Sequence, residues 1–126
     1  MNHPLTAAAS QGNAEAVKAL LTSDADVNER GPDGWTALLY AVVEGNLEMA
    51  LALLQAGANV NLPASDGWTP LMKACLWGRR ELVSVLPECG ADVDAKTSDG
   101  KTAWTIAVSK GRKEVIQRLR RKEERK

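Results

Sequence analysis

The stretch Asp33-Gly-Trp-Thr-Ala-Leu38 decides the fold, because it recurs at a fixed interval of 33 residues. It returns as Asp66-Gly-Trp-Thr-Pro-Leu71 and then as Asp99-Gly-Lys-Thr-Ala-Trp104. When residues 33–65 are aligned without a gap under residues 66–98, 13 of the 33 positions are identical. Nine of the ten glycines keep the same interval, and only Gly31 falls outside it. A repeat of this length indicates a stack of small, similar units.

Each repeat has the pattern of one helical hairpin. Residues 36–44 are mostly apolar and end at Gly45, where glycine permits a left-handed turn. Residues 47–56 form a second segment with leucines at helical spacing, and it ends at Gly57. Residues 63–67 then supply the residue types of a tight turn. Because one such unit cannot cover its own apolar face, neighbouring units must stack to bury it.

The opening motif resembles that of ankyrin repeats, and a closing motif strengthens the likeness. The closing motif is Ala25-Asp-Val-Asn28, which recurs as Ala58-Asn-Val-Asn61 and Ala91-Asp-Val-Asp94. The resemblance covers nearly the whole chain. It implies an all-α fold, a solenoid of four helix-turn-helix units joined by β-hairpin-like loops. In that family the hairpins and the first helices line a concave surface that binds proteins.

The period divides the chain into one repeat domain of four units. We predict units at residues 3–32, 33–65, 66–98 and 99–122, with the first and last acting as caps. A basic tail follows at residues 118–126. These four units are called the first to fourth unit below.

Two residues depart from the repeat. Asp24 stands where other units carry Gly57 and Gly90, and aspartate is among the few residues that tolerate the left-handed region. Pro87 stands where other units carry leucine, and a proline inside a helix costs about 3 kcal/mol. Either the proline is interior or the helix ends about one turn early, and we expect the early end.

Composition argues against nucleic acid and membrane as partners. The chain has 16 basic and 16 acidic residues, although residues 1–111 carry a net charge of −5 and residues 112–126 a net charge of +5. Glu114, Glu123 and Glu124 interrupt the basic stretch that begins at Arg112, so we interpret it as a solvated capping helix. No apolar run approaches the roughly 20 residues that span a bilayer, and the N-terminus lacks a signal-peptide pattern. We therefore expect a cytoplasmic protein.

The residues needed for catalysis are scarce. His3 is the only histidine, so neither a histidine-based triad nor a histidine metal site can be assembled. Cys75 is predicted to be a small core residue, and Cys89 a partly exposed one. An aspartate precedes each hairpin glycine, at Asp33, Asp66 and Asp99, and we interpret it as capping the turn. We predict no enzyme activity and no catalytic, cofactor or metal site.

Comparing equivalent positions within the chain separates packing residues from surface residues. Trp104 occupies the position of Leu5, Leu38 and Leu71, so we expect it in the core of the fourth unit. The other three tryptophans are different. Trp35 and Trp68 share their position with Lys101, and the position of Trp77 is otherwise polar. Positions that accept charged residues are solvent-exposed, so these tryptophans should form an exposed strip.

An exposed apolar strip marks an interaction site, and tryptophan and tyrosine are enriched at binding hot spots. The predicted function is therefore a protein-protein interaction module, an adaptor or inhibitor. The family's concave surface adds further positions on the first helices. The predicted partner-binding residues are Trp35, Trp68, Trp77, Tyr40, Leu76, Val43, Glu44, Lys73 and Lys101.

The strip has other interpretations. Trp35 and Trp68 could instead stack on each other or on hairpin backbone and only stiffen the stack. The expected state is a monomer, with a self-associating scaffold or a C-terminal arm that contacts nucleic acid as alternatives. Acidic residues beside the strip, at Asp33, Glu44 and Asp66, favour a partner with some positive charge.

Overall fold

A computed structural model describes the backbone of residues 3–124 and the side chains as far as Arg120. Within this part of the chain eight helices are arranged in four pairs, and there is no strand. The helices are α1 (Pro4–Ser10), α2 (Ala14–Leu21), α3 (Ala37–Glu44), α4 (Leu47–Gln55), α5 (Pro70–Trp77), α6 (Arg80–Glu88), α7 (Ala103–Ser109) and α8 (Lys113–Glu124). The predicted all-α repeat solenoid is confirmed.

The repeated residues start and stop the helices as their chemistry requires. Thr36 caps α3, because its side chain accepts a hydrogen bond from the backbone N–H of Leu39, and Thr69 and Thr102 cap α5 and α7 in the same way. At the other end of α3, Gly45 has a φ of 70°. All nine glycines that keep the 33-residue interval have positive φ, so the interval in the sequence is an interval of left-handed turns.

Gly31, the glycine outside the interval, has a different role. A Cβ atom built on it would lie 2.9 Å from Oγ1 of Thr6, which is buried in α1. Glycine therefore permits the chain between the first two units to approach α1 closely.

Stacking of the first helices builds a continuous core. Helix α3 packs against α1 and α5, and α5 packs in turn against α7, while α2 packs on α4 and α6 on α8. Buried aliphatic residues recur at equivalent positions along this stack, and the largest are Leu5, Leu39, Met49, Leu53, Leu71, Met72, Leu82 and Leu86. The apolar face that one helical hairpin leaves open is thus covered by the next hairpin.

A tight turn connects one unit to the next. Between the second and third units the N–H of Ala64 donates to the carbonyl of Trp68 at 2.9 Å, and the N–H of Gly67 donates to the carbonyl of Ala64 at 2.9 Å. The same two bonds recur at Gly31 and at Thr97. The turn predicted at residues 63–67 is confirmed.

Asparagine side chains join the loops of neighbouring units. Asn28 Oδ1 accepts from the N–H of Asn59 at 2.7 Å. One unit later Asn61 Oδ1 accepts from the N–H of Asp92 at 2.8 Å, and its Nδ2 donates to the carbonyl of Gly90 at 3.1 Å. The repeated closing motif therefore fixes the spacing between adjacent loops.

Arginine side chains join the helical layers in the second half of the stack. Arg79 donates through Nε and Nη2 to the carbonyl of Val43, at 3.1 and 2.6 Å. Arg112 donates to the carbonyl of Leu76 at 3.1 Å. Each guanidinium thus binds the last turn of the preceding first helix, where free carbonyls and the helix dipole favour a cation.

The prediction that α6 ends about one turn early is wrong. Helix α6 runs through Pro87 to Glu88 and has the same nine-residue length as α4. Because Pro87 lies in the last turn, it removes only one helical hydrogen bond, and the packing of Leu82, Val83 and Leu86 keeps the helix formed. Asp24 is not left-handed, because no non-glycine residue in the described chain has positive φ.

The end of α2 shows why Asp24 need not adopt a left-handed conformation. Ser23 Oγ donates to the carbonyl of Leu20 at 2.6 Å, and Thr22 Oγ1 donates to Ala19 at 2.7 Å. The equivalent carbonyl in α4 is that of Leu53. It accepts a hydrogen bond from the N–H of Ala58, because Gly57 turns the chain in a left-handed conformation. Side-chain hydroxyls in the first unit therefore replace that turn.

The fourth unit is less completely buried than its predecessors. Trp104 packs against the core but is only half-buried, so its predicted place in the core is correct only in part. Val108 is 50% exposed, whereas its equivalents in the other units are fully buried. The described chain has no further unit to cover them. Arg120 lies over the Trp104 ring at 5.9 Å, and the side chains of the tail at 121–126 lie outside the described residues.

Candidate functional site

Lys73 is the centre of the predicted strip. Its side chain extends from α5 between the hairpin turns that carry Trp35 and Trp68. Its ammonium lies 5.1 Å from the ring centroid of Trp35 and 5.3 Å from that of Trp68. The same ammonium donates to Asp66 Oδ2 at 2.9 Å, and Lys73 is only 8% exposed. One cation thus joins two aromatic rings and a carboxylate, which fixes the second and third hairpins relative to each other.

Tyr40 extends this cluster on α3. Its ring centroid lies 5.2 Å from that of Trp35, and its hydroxyl donates to Asp33 Oδ2. Burial, reinforced by the hydrogen bond to Asp33, raises the pKa of Tyr40 to about 12. Partial burial acts to raise the pKa of Asp33, but the bonds donated by Tyr40 and by the Trp35 N–H outweigh it and leave that pKa below its usual value.

The hairpin aspartates therefore act mainly within the domain. Asp33 and Asp66 each accept the N–H two residues ahead, at 3.0 and 2.9 Å, which is the predicted turn capping. In the fourth unit the capping differs, because Thr97 Oγ1 accepts the N–H of Lys101 and donates to Asp99. Because Asp66 is paired with the Lys73 ammonium, it contributes less negative charge for a partner than the sequence suggested, whereas Asp33 keeps its charge.

The exposure of the three tryptophans corrects the sequence expectation. Trp35 and Trp68 are half-buried rather than exposed, because the apolar stem and the ammonium of Lys73 pack against their rings. They stack on neither each other nor hairpin backbone alone, since Lys73 lies between them. Trp77 is 49% exposed on the last turn of α5, as the polar residues at its equivalent positions predicted.

Grooves lie on both sides of the Trp35–Lys73–Trp68 stack. Between the first and second units a groove of about 330 Å³ is lined by Tyr40 and by residues of α1. Between the third and fourth units a groove of about 400 Å³ brings together the predicted residues Trp68, Leu76 and Lys101. The side chain of Lys73 therefore fills the middle of the strip, and a groove lies on either side of it.

Glu44 and Val43 occupy the last turn of α3. The Glu44 carboxylate lies against the backbone of Gly12, and burial raises its pKa. Val43 is half-buried, and its carbonyl is the one bound by Arg79. Glu44 therefore contacts the first unit and the Val43 carbonyl contacts the third, and neither residue lines the groove that contains Lys101.

The sequence comparison missed four residues that line the groove between the third and fourth units: Thr105, Ile106, Ser109 and Lys110. The sequence contains a signal for Ile106, because the two preceding units carry Tyr40 and Lys73 at its position and an aliphatic residue differs from both. Lys110 shares its position with Trp77, so the exposure predicted for that position applies to Lys110 as well.

The two cysteines lie in different environments. Cys75 is buried, and burial raises the pKa of its thiol to about 12, while Cys89 is exposed, as predicted. Within residues 3–124, no three His, Cys, Asp or Glu side chains are grouped as a metal site requires. None of the described helices has both the length and the apolar character to cross a membrane.

Comparison with known proteins agrees with this architecture. A family model described as ankyrin repeats (3 copies) matches residues 2–64 and again residues 60–126. Together the two matches cover the whole chain from Asn2. A search of curated proteins found no match.

Proposed function

Because the chain belongs to the ankyrin-repeat family, whose repeats generally act as protein-interaction modules, we propose that it binds a partner protein on the surface of its hairpins and first helices. The domain acts in this proposal by holding the partner, as an adaptor or an inhibitor, rather than by catalysing a reaction. The cytoplasmic location expected from the sequence stays a prediction.

The exposure of Trp77 is the observation that carries the proposal. Its indole ring is 49% exposed, although equivalent positions in the other units hold Gln11, Glu44 and Lys110. A large apolar side chain at an otherwise polar position costs solubility, and packing within the domain covers only about half of Trp77. Tryptophan is enriched at the centre of interfaces, where its truncation costs about 2 kcal/mol or more.

The cluster of Lys73, Trp35 and Trp68 keeps the surface beside Trp77 rigid. Lys73 lies on the same helix and is held between Trp35 and Trp68, so the face of α5 is fixed before a partner arrives. A surface that is already ordered loses little conformational entropy on binding. Trp35 and Trp68 contribute their exposed edges in this proposal, while Lys73 contributes mainly to their position.

Cross-linking at position 77 tests the proposal. A photoreactive amino acid at position 77 is expected to capture a partner in the source cell, while the same group at Leu51 on α4 should not. Leu51 is a matched control, because it is a large apolar residue that is 37% exposed on a second helix.

Binding of the purified partner is then measured with two alanine variants. Trp77→Ala is expected to weaken binding by about thirtyfold, which corresponds to about 2 kcal/mol, and Leu51→Ala to leave it unchanged. Equal affinities for the two variants, with both folded, would refute the proposed surface. If the captured partner is a second copy of this chain, the domain is a self-associating scaffold and the adaptor function is wrong.

A further inference from the structure

The groove between the third and fourth units is a candidate anchor point. Its volume is about 400 Å³, and its lining combines the apolar side chains of Trp68, Leu76 and Ile106 with the lysines Lys101 and Lys110. Ile106 is buried, Trp68 and Leu76 are half-buried, and both lysines are exposed. The groove therefore has an apolar floor and a basic rim.

The groove exists because one residue changes between units. One unit earlier, the long side chain of Lys73 fills the space between the two hairpins and reaches both Trp35 and Trp68. The equivalent residue of the next unit is Ile106, whose side chain is too short to reach the hairpins. The space beside Trp68 is thus left open.

The charge on the rim indicates what can occupy the groove. The lining residues include two lysines and no aspartate or glutamate. Lys101 pairs with Asp99 at 3.5 Å, but both side chains are more than half exposed, so a closer carboxylate can displace that weak contact. An anionic group placed above an apolar side chain would satisfy the floor and the rim together.

We propose that this groove binds an apolar side chain of a partner segment whose flanking residues are acidic. The inference rests on the proposed function and names the chemistry of the partner. The acidic residues near Trp35 favoured a partner with positive charge, whereas the lysines of this groove favour a segment with negative charge. The partner is an acidic and apolar peptide segment, recognised by shape at Ile106 and by charge at Lys101 and Lys110.

Labelled peptides test the groove directly. The probe is a short peptide with two central leucines flanked by glutamates, compared with one flanked by lysines and one with serines in place of the leucines. The intact domain is expected to bind the first peptide most tightly, and the binding should weaken as salt is added. Equal binding of the glutamate and lysine peptides would overturn the proposal.

Two variants separate charge from shape. The double change Lys101→Glu with Lys110→Glu is expected to weaken binding of the glutamate-flanked peptide about tenfold. The variant should then bind the lysine-flanked peptide more tightly than the glutamate-flanked one. Ser109→Trp, at an exposed position, fills the groove and should abolish binding while both lysines remain. Leu51→Ala is the matched control and should bind as the wild type does. Unchanged binding by either groove variant would overturn the proposal.

The affinity of each variant for the partner captured at position 77 separates a failure of the groove assignment from a failure of the proposed function. If Trp77→Ala weakens partner binding and the double lysine change does not, the concave surface is right and the groove assignment is wrong. If neither change weakens binding, both proposals are wrong. If peptide binding falls as the protein concentration rises, a second copy occupies the groove and the inference fails.

Discussion

Replacing Arg79 by alanine should destabilise the domain more than replacing Arg112 or Arg80. Arg79 donates two hydrogen bonds to the last turn of α3, at 3.1 and 2.6 Å, from a partly buried position. A hydrogen bond from a charged donor contributes about 1.5–3 kcal/mol, and a cation at a helix C-terminus about 0.3–1 kcal/mol more. We therefore expect the free energy of unfolding to fall by about 2 kcal/mol.

Three related substitutions give a graded comparison. Arg112→Ala removes a single exposed bond of 3.1 Å and should cost about 1 kcal/mol. Arg80→Ala removes only an exposed pair with Glu81 at 3.5 Å and should change stability by less than about 0.5 kcal/mol. Arg79→Asn should fall between wild type and Arg79→Ala, because asparagine caps the equivalent helix α4.

Urea denaturation followed by circular dichroism measures this series. The midpoint of each variant, with an unchanged slope, gives the change in the free energy of unfolding. The expected order of destabilisation is Arg79→Ala, then Arg112→Ala, then Arg80→Ala. If Arg79→Ala were no more destabilised than Arg80→Ala, the arginine bond to α3 would contribute nothing and the account of how the layers are joined would be wrong.

Three further predictions concern side chains on the strip and in the loops. Lys73→Met should lower stability, and the difference from wild type should narrow below about pH 4, where Asp66 is protonated; a difference that does not change with pH would contradict the ion pair. Partial burial acts to raise the pKa of Asp66, but the bonds from Lys73 and the Trp68 N–H leave it below 3.8. The stability contributed by the ion pair is therefore fully present above about pH 4 and is lost as the pH falls through the lowered pKa of folded Asp66. Tyr40 is the only tyrosine, so an absorbance titration should give one midpoint near 12, with stability falling as the pH rises above 10; a midpoint near 10 would contradict its burial and hydrogen bond. Asn61→Ala breaks two bonds between loops and should cost about 1–2 kcal/mol, about twice the cost of Asn28→Ala, and equal effects in thermal melts would contradict the bond count.

The repeated parts of the fold could be predicted from the sequence because a local interaction determines each of them. Glycines at 33-residue intervals adopt the left-handed conformation, and Thr36 and its equivalents cap the first helices. Both effects depend on residues within one turn of the position concerned. For the same reason the helix pairs and the hairpin turns needed no knowledge of the tertiary structure.

The non-repeated residues were harder to predict, because their environment is set by other units. The family's concave surface places Lys73 among the predicted partner-binding residues, but its side chain is buried and its ammonium binds two rings and a carboxylate. Pro87 was expected to end α6 early, and packing in the last turn outweighs its lost bond. The groove at Ile106 could not be predicted, because it forms only where Ile106 leaves open the space that Lys73 fills one unit earlier.

The most direct test of partner binding is the indole region of a proton–nitrogen NMR spectrum. The four tryptophans give four indole signals, which single phenylalanine substitutions would assign. When the partner captured at position 77 is added, we predict that the signals of Trp77 and Trp68 shift most and that the signal of Trp104 stays in place. A shift confined to Trp104, or no shift in a mixture shown to bind, would contradict the claim that this surface holds the partner.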